Sequence, residues 1–86
     1  MRVKINDYIV ADSEICHGKP TFKGTRIMVW QVLELLESGM SIEEITTYFI
    51  APLTKEQVKA ALRYAAVITR GSDNIVVGID EAEVSA

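Results

Sequence analysis

"SGMSIEEITTYFIAPLTKEQV", residues 38–58, contains two helix starts of the same kind. In Ser41-Ile42-Glu43-Glu44 the serine oxygen can accept from the Glu44 amide while the Glu44 side chain reaches back to the Ser41 amide. Thr54-Lys55-Glu56-Gln57 repeats that capping box thirteen residues later. Gly39 stands just before the first box, where a left-handed residue closes the preceding helix. Pro52 stands before the second and forbids a simple continuation of the helix between them. The stretch therefore predicts helix, glycine stop, short helix, turn, helix.

Working outward, Val29, Val32, Leu33 and Leu36 follow i, i+3, i+4, i+7 and predict a helix over about 29–38. The second helix is expected over 42–49 with Ile42, Ile45 and Phe49 inward. The third is expected over 55–69 with Val58, Ala61, Leu62, Ala65 and Ile68 inward, ended by Gly71-Ser72-Asp73-Asn74. Before them, Tyr8-Ile9-Val10 suits a strand and Asp12-Ser13-Glu14 a turn. Thr21-Phe22 and Arg26-Ile27 flank Lys23-Gly24, so a β-hairpin is expected within 8–27, with Gly24 as its turn and Phe22 and Ile27 as its apolar contacts. The fold class is mainly α with a small β element: one domain over 1–70, then an acidic arm over 71–86.

The composition is 49% hydrophobic and 24% charged over 86 residues, ordinary for a folded domain with a small core. That makes a homodimer expected, because a second copy covers what one small core leaves exposed. The net charge is −3, but unevenly placed. Residues 71–86 hold Asp73, Asp80, Glu81 and Glu83 and no lysine or arginine, whereas residues 1–70 hold all nine basic residues against eight acidic ones. A basic face on the body is compatible with the acid total. Cys16 is the only cysteine, which excludes an internal disulfide and a cysteine-rich zinc site. No apolar run approaches a membrane span and no signal-peptide pattern opens the chain, so a cytoplasmic, membrane-free protein is expected.

"HGKPTFKGTR", residues 17–26, is the densest cluster of groups able to hold a phosphate. A phosphate loop needs two glycines with four residues between them, followed by lysine and a hydroxyl residue; Gly18 and Gly24 have five between them and are followed by Thr25-Arg26. A glycine-turned hairpin is the better reading. Cys16 and His17 point to opposite faces of an extended chain, and no second histidine or cysteine exists to complete a metal site. No metal, cofactor or catalytic constellation is expected, and hence no enzyme.

Lys55, Lys59 and Arg63 recur every four residues on the third helix, on the face away from Val58, Leu62 and Ala65. Behind a short helix and a turn, such a stripe resembles a helix-turn-helix recognition helix, with Gln57, Lys59 and Arg63 toward base edges and Lys55 toward phosphate. A solvated helix face is the equal alternative, since Glu56 interrupts the charge. Lys23 and Arg26 have two uses open, touching DNA backbone as a wing does or lining a dimer seam. Trp30 lies beside the apolar stripe of the first helix and is assigned to an interface, with Phe22 and, in the tail, Ile75 and Val77.

"EICHGKPTFKGTRIMVWQVLELLESGMSIEEI" followed by "LTKEQVKAALRYA" resembles the bacterial and archaeal family called domain of unknown function 433, from about Tyr8 to Ala66. Gly18, Lys19, Pro20, Gly24, Thr25, Arg26 and Ile27 stand where that family's motif stands. The resemblance implies a homeodomain-like or winged-helix-like three-helix module. It also implies an antitoxin of a type II toxin–antitoxin pair, similar in role to VapB: a dimer that binds its own operator DNA and masks a PIN-like nuclease toxin. The chain departs from the family's pattern at Met28, commonly proline, and at "YFIAPLT", residues 48–54, two residues longer than the usual turn. A module that binds only a partner protein is the rival expectation, favoured by the acidic charge, the longer turn and Trp30.

Overall fold

The structure, a computed structural model, describes residues 1–71. It opens with three short antiparallel strands, β1 (Arg2–Lys4), β2 (Ile9–Asp12) and β3 (Pro20–Phe22), in the order β1-β2-β3. Asn6 makes the first reversal: its side-chain oxygen accepts from the amides of Tyr8 at 2.8 Å and Ile9 at 2.9 Å, a local turn that aspartate and asparagine favour. The register sets Ile9 opposite Phe22, and both side chains are fully buried.

The expected hairpin is thus corrected in its pairing. Pro20–Phe22 pairs chiefly with β2, because Ile9 and Phe22 need the same core, and β1 adds a strand that was not expected. The turn after Phe22 persists in reduced form, as a single bridge between Thr21 and Met28. Gly24 takes a φ of +80° there, and the Phe22 amide donates to the Ile27 carbonyl at 3.0 Å. Thr25 locks it: its hydroxyl donates to the Phe22 carbonyl at 2.9 Å and accepts from the Ile27 amide at 3.0 Å.

Between β2 and β3 the chain reverses through a single 3-10 turn, Cys16–Gly18. Cys16 and His17 both adopt left-handed backbone, at φ 51° and 58°. For residues bearing a Cβ this costs on the order of 1 kcal/mol each, a local strain the surrounding fold must offset.

Three helices follow: α1 (Val29–Glu37), α2 (Ile42–Thr46) and α3 (Lys55–Arg70). The Gln31 side chain accepts from the Met28 amide at 3.0 Å and so closes the start of α1. Its end is a Schellman motif: Gly39, at φ +107°, donates to Leu36, and Met40 donates to Leu35. Both capping boxes form, at Ser41/Glu44 and at Thr54/Gln57. However, α2 stops at Thr46 and does not reach Phe49. The chain then turns so that the Leu53 amide donates to the Thr46 carbonyl and Leu53 itself is buried.

The core gathers Ile9 and Phe22 from the sheet, Ile27, Val29 and Val32 from around α1, Ile45 and Leu53, and Val58, Ala60 and Ala61 from α3. Two expected core positions on α3 are corrected: Leu62 is 41% and Ile68 42% exposed. The described body ends before the helix does, so their stripe runs on past the described residues that cover Val58 and Ala61. Thr21 is fully buried, and its hydroxyl finds no hydrogen-bond partner among the described residues.

Candidate functional site

Two outward helix faces carry opposite chemistry. On α3, Lys59, Arg63 and Arg70 stand at i, i+4 and i+11, which places them within about 40° of one another around the axis. All three are exposed, and none forms an ion pair with another described residue. Arg70 was not singled out in the sequence, although its spacing from Arg63 gives the signal.

The first turn of α3 is otherwise engaged. Lys55 donates from Nζ to Glu43 Oε2 at 2.9 Å, bridging α3 to α2 across the solvent surface. That hydrogen bond, and then the positive charge behind it, hold the Glu43 carboxyl below the ordinary glutamate range, against a slight opposing effect of burial. Gln57 is held in its capping box, its side-chain oxygen accepting from the Thr54 amide at 2.7 Å. So of the four α3 residues assigned to DNA, Lys59 and Arg63 are free to reach outward, while Lys55 and Gln57 hold the start of the helix. Lys23 and Arg26 are exposed on either side of Gly24, on the turn that precedes α1.

On α1 the outward stripe is Trp30, Glu34 and Glu37, at i, i+4 and i+7, all exposed. Trp30 is 46% exposed, and its indole N–H points at the Met28 sulfur at 3.2 Å, which fixes the ring. Beside it runs a groove of about 330 Å³ lined by Trp30, Glu34, Leu35, Tyr48 and Phe49, together with Gln31 and Ser38. Tyr48 and Phe49 meet edge to face, with centroids 5.1 Å apart. A second groove of about 470 Å³ opens on the other side of Trp30, against Pro20, Leu33 and Tyr64, with Lys19 at its rim.

Phe22 is corrected as an interface residue: it is fully enclosed in the chain's own core and presents no surface to a second copy. Ile75 and Val77 lie outside the described residues, as does the acidic arm. Among the described residues no group of three or more histidine, cysteine, aspartate or glutamate side chains is placed to hold a metal ion. No described helix is long and apolar enough to cross a membrane.

No curated protein and no solved structure matches the chain. Residues 9–65, about two thirds of its length, match a family model and span the site from β2 to the middle of α3. The chain belongs to that family, described as "Protein of unknown function (DUF433)".

Proposed function

We propose that this chain is a small DNA-binding antitoxin of a type II toxin–antitoxin pair, acting as a homodimer on its own operator and neutralising a PIN-like toxin. In this reading α2 and α3 form a helix-turn-helix pair within a homeodomain-like or winged-helix-like module. The observation that carries the DNA half is the stripe of Lys59, Arg63 and Arg70, three exposed cations without ion-pair partners among the described residues, on a helix that runs beyond the described core. Cations so placed are available to phosphates and base edges. Lys23 and Arg26 supply further backbone contacts, as a wing does. Dimerisation is supported by the apolar positions of α3 left uncovered, Leu62 and Val67 among them. The toxin half rests on the family resemblance.

The test is binding to the DNA upstream of its own coding sequence, followed by fluorescence anisotropy. Replacing Lys59 and Arg63 together by glutamate lowers affinity by at least about tenfold and reduces the salt slope by about two. Equal binding to that DNA and to an unrelated duplex at low salt would end the repressor reading. The second reading, a module that binds a partner protein only, is favoured by the half-exposed Trp30 with two carboxylates on its stripe. Co-purification with the neighbouring gene's product, in a protein that ignores DNA, selects it.

A further inference from the structure

We propose that the groove between α1 and the Tyr48-Phe49 turn receives an arginine side chain presented by a partner protein. Three aromatic rings and one carboxylate make its walls: Trp30, Tyr48, Phe49 and Glu34, with Leu35 at the floor. That is the chemistry that recognises a cation carried on an apolar stem. Ring faces attract the positive charge, the carboxylate pairs with it, and the apolar floor takes the methylenes. A guanidinium suits it better than an ammonium, because it is planar, stacks on aromatic rings and is more weakly hydrated.

The walls are already held without a ligand. The Trp30 indole N–H meets the Met28 sulfur, and Tyr48 is set against Phe49 at an interplanar angle of 82°. Tyr48 remains 56% exposed. Among the described residues Glu34 is the only charged one in the lining and has no ion-pair partner, and Glu37 extends the negative charge along the same stripe.

Charge decides among occupants. The acidic groove is repelled by DNA phosphate, and the chain's own residues 71–86 contain no lysine or arginine to place in it. The groove on the other side of Trp30 has Lys19 at its rim and lacks this preference. The site lies on α1, apart from the α3 stripe, so it stands or falls separately from DNA binding.

Trp30 is the chain's only tryptophan, so tryptophan emission reports on this residue alone. Because Trp30 borders both grooves, variants at Glu34 and Tyr48, which line only this one, assign the response to it. The probe is a synthetic amphipathic arginine–leucine peptide, compared with the same peptide carrying citrulline, which keeps the shape of arginine without its charge. The arginine peptide shifts Trp30 emission saturably, and the citrulline peptide does so about tenfold more weakly. Glu34→Gln and Tyr48→Ala each weaken the arginine peptide several-fold with unchanged circular dichroism, while anisotropy with DNA stays as in the unaltered protein. Equal responses to the two peptides overturn the proposal, as does indifference to Glu34→Gln. A Trp30 emission shift that grows with protein concentration alone and is abolished by Tyr48→Ala also overturns it, because a second copy then fills this groove.

Discussion

The two halves of α3 share one helix and one periodicity, yet they live in different surroundings. From Lys55 to Ala61 the helix is fastened at its start and along its inner face: capped by Thr54, bridged to α2 through Glu43, and buried at Val58, Ala60 and Ala61. From Leu62 to Arg70 no residue is buried. There Thr69 turns its hydroxyl back to the carbonyls of Ala65 and Ala66, and Gly71 closes the end by donating to Val67. Periodicity specifies which face of a helix is apolar. It does not specify how far the body extends beneath that face.

The largest effect should come from one substitution made in both halves. Val58 is fully buried and Val67 is 50% exposed, nine positions further on. Val58→Ala is expected to destabilise the fold by about 2 kcal/mol, through lost burial and the cavity left behind. Val67→Ala is expected to stay within about 0.5 kcal/mol. Urea denaturation of both variants at low protein concentration measures the difference. Similar losses would break the contrast and mean that the second half is covered. If that cost grew with protein concentration, the cover would be a second copy.

The cap comes next. In Thr54→Ala the Gln57 amide loses its acceptor, 3.1 Å away, and the fold should lose about 1 kcal/mol, with an unchanged denaturant slope. The second half should then unfold together with the first, because its helical bonds depend on the fastened turns before it. Amide exchange checks this: protection from Val58 to Arg70 falls by a common factor. A loss confined to the first turn would show that the second half holds itself.

Much of this was legible in the sequence, and the parts that were not share a cause. Capping boxes are local chemistry, so both helix starts and the glycine stop of α1 could be read from Ser41, Thr54 and Gly39. The end of α2 depends on where Leu53 finds burial, which no local pattern states. Strand β1 has one apolar residue, Val3, itself half exposed, and its clue was the Asn6-Asp7 turn between two extended runs. The left-handed backbone at Cys16 and His17 has no signal, since neither is glycine. At the candidate site, Lys59 and Arg63 were readable as a stripe. The engagement of Lys55 was not, because it required the position of α2, whereas that of Gln57 was already contained in the Thr54 capping box and competes with its assignment to DNA. Trp30 was readable as lying off the core stripe, whereas the groove beside it needed the turn at Tyr48 and Phe49.

The smallest effect sharpens the contrast at its other end. The Glu43 carboxyl is lowered by the hydrogen bond from Lys55 and by its charge, so the folded chain binds this proton less readily than the unfolded one. The pair's contribution is therefore complete at neutral pH and is lost as pH falls through the glutamate range and below it. Both groups are exposed, so the stability involved is slight. Its position is the informative part. An NMR titration should place the Glu43 midpoint lower in the unaltered chain than in Lys55→Met. Amide shifts caused by that substitution should concentrate in α2 and the first turns of α3. Identical midpoints would remove the bridge as a fastening of the first half. Shifts reaching Val67 would mean that the two halves of α3 respond as one rigid rod, so that anything bound by Lys59, Arg63 and Arg70 is felt at α2.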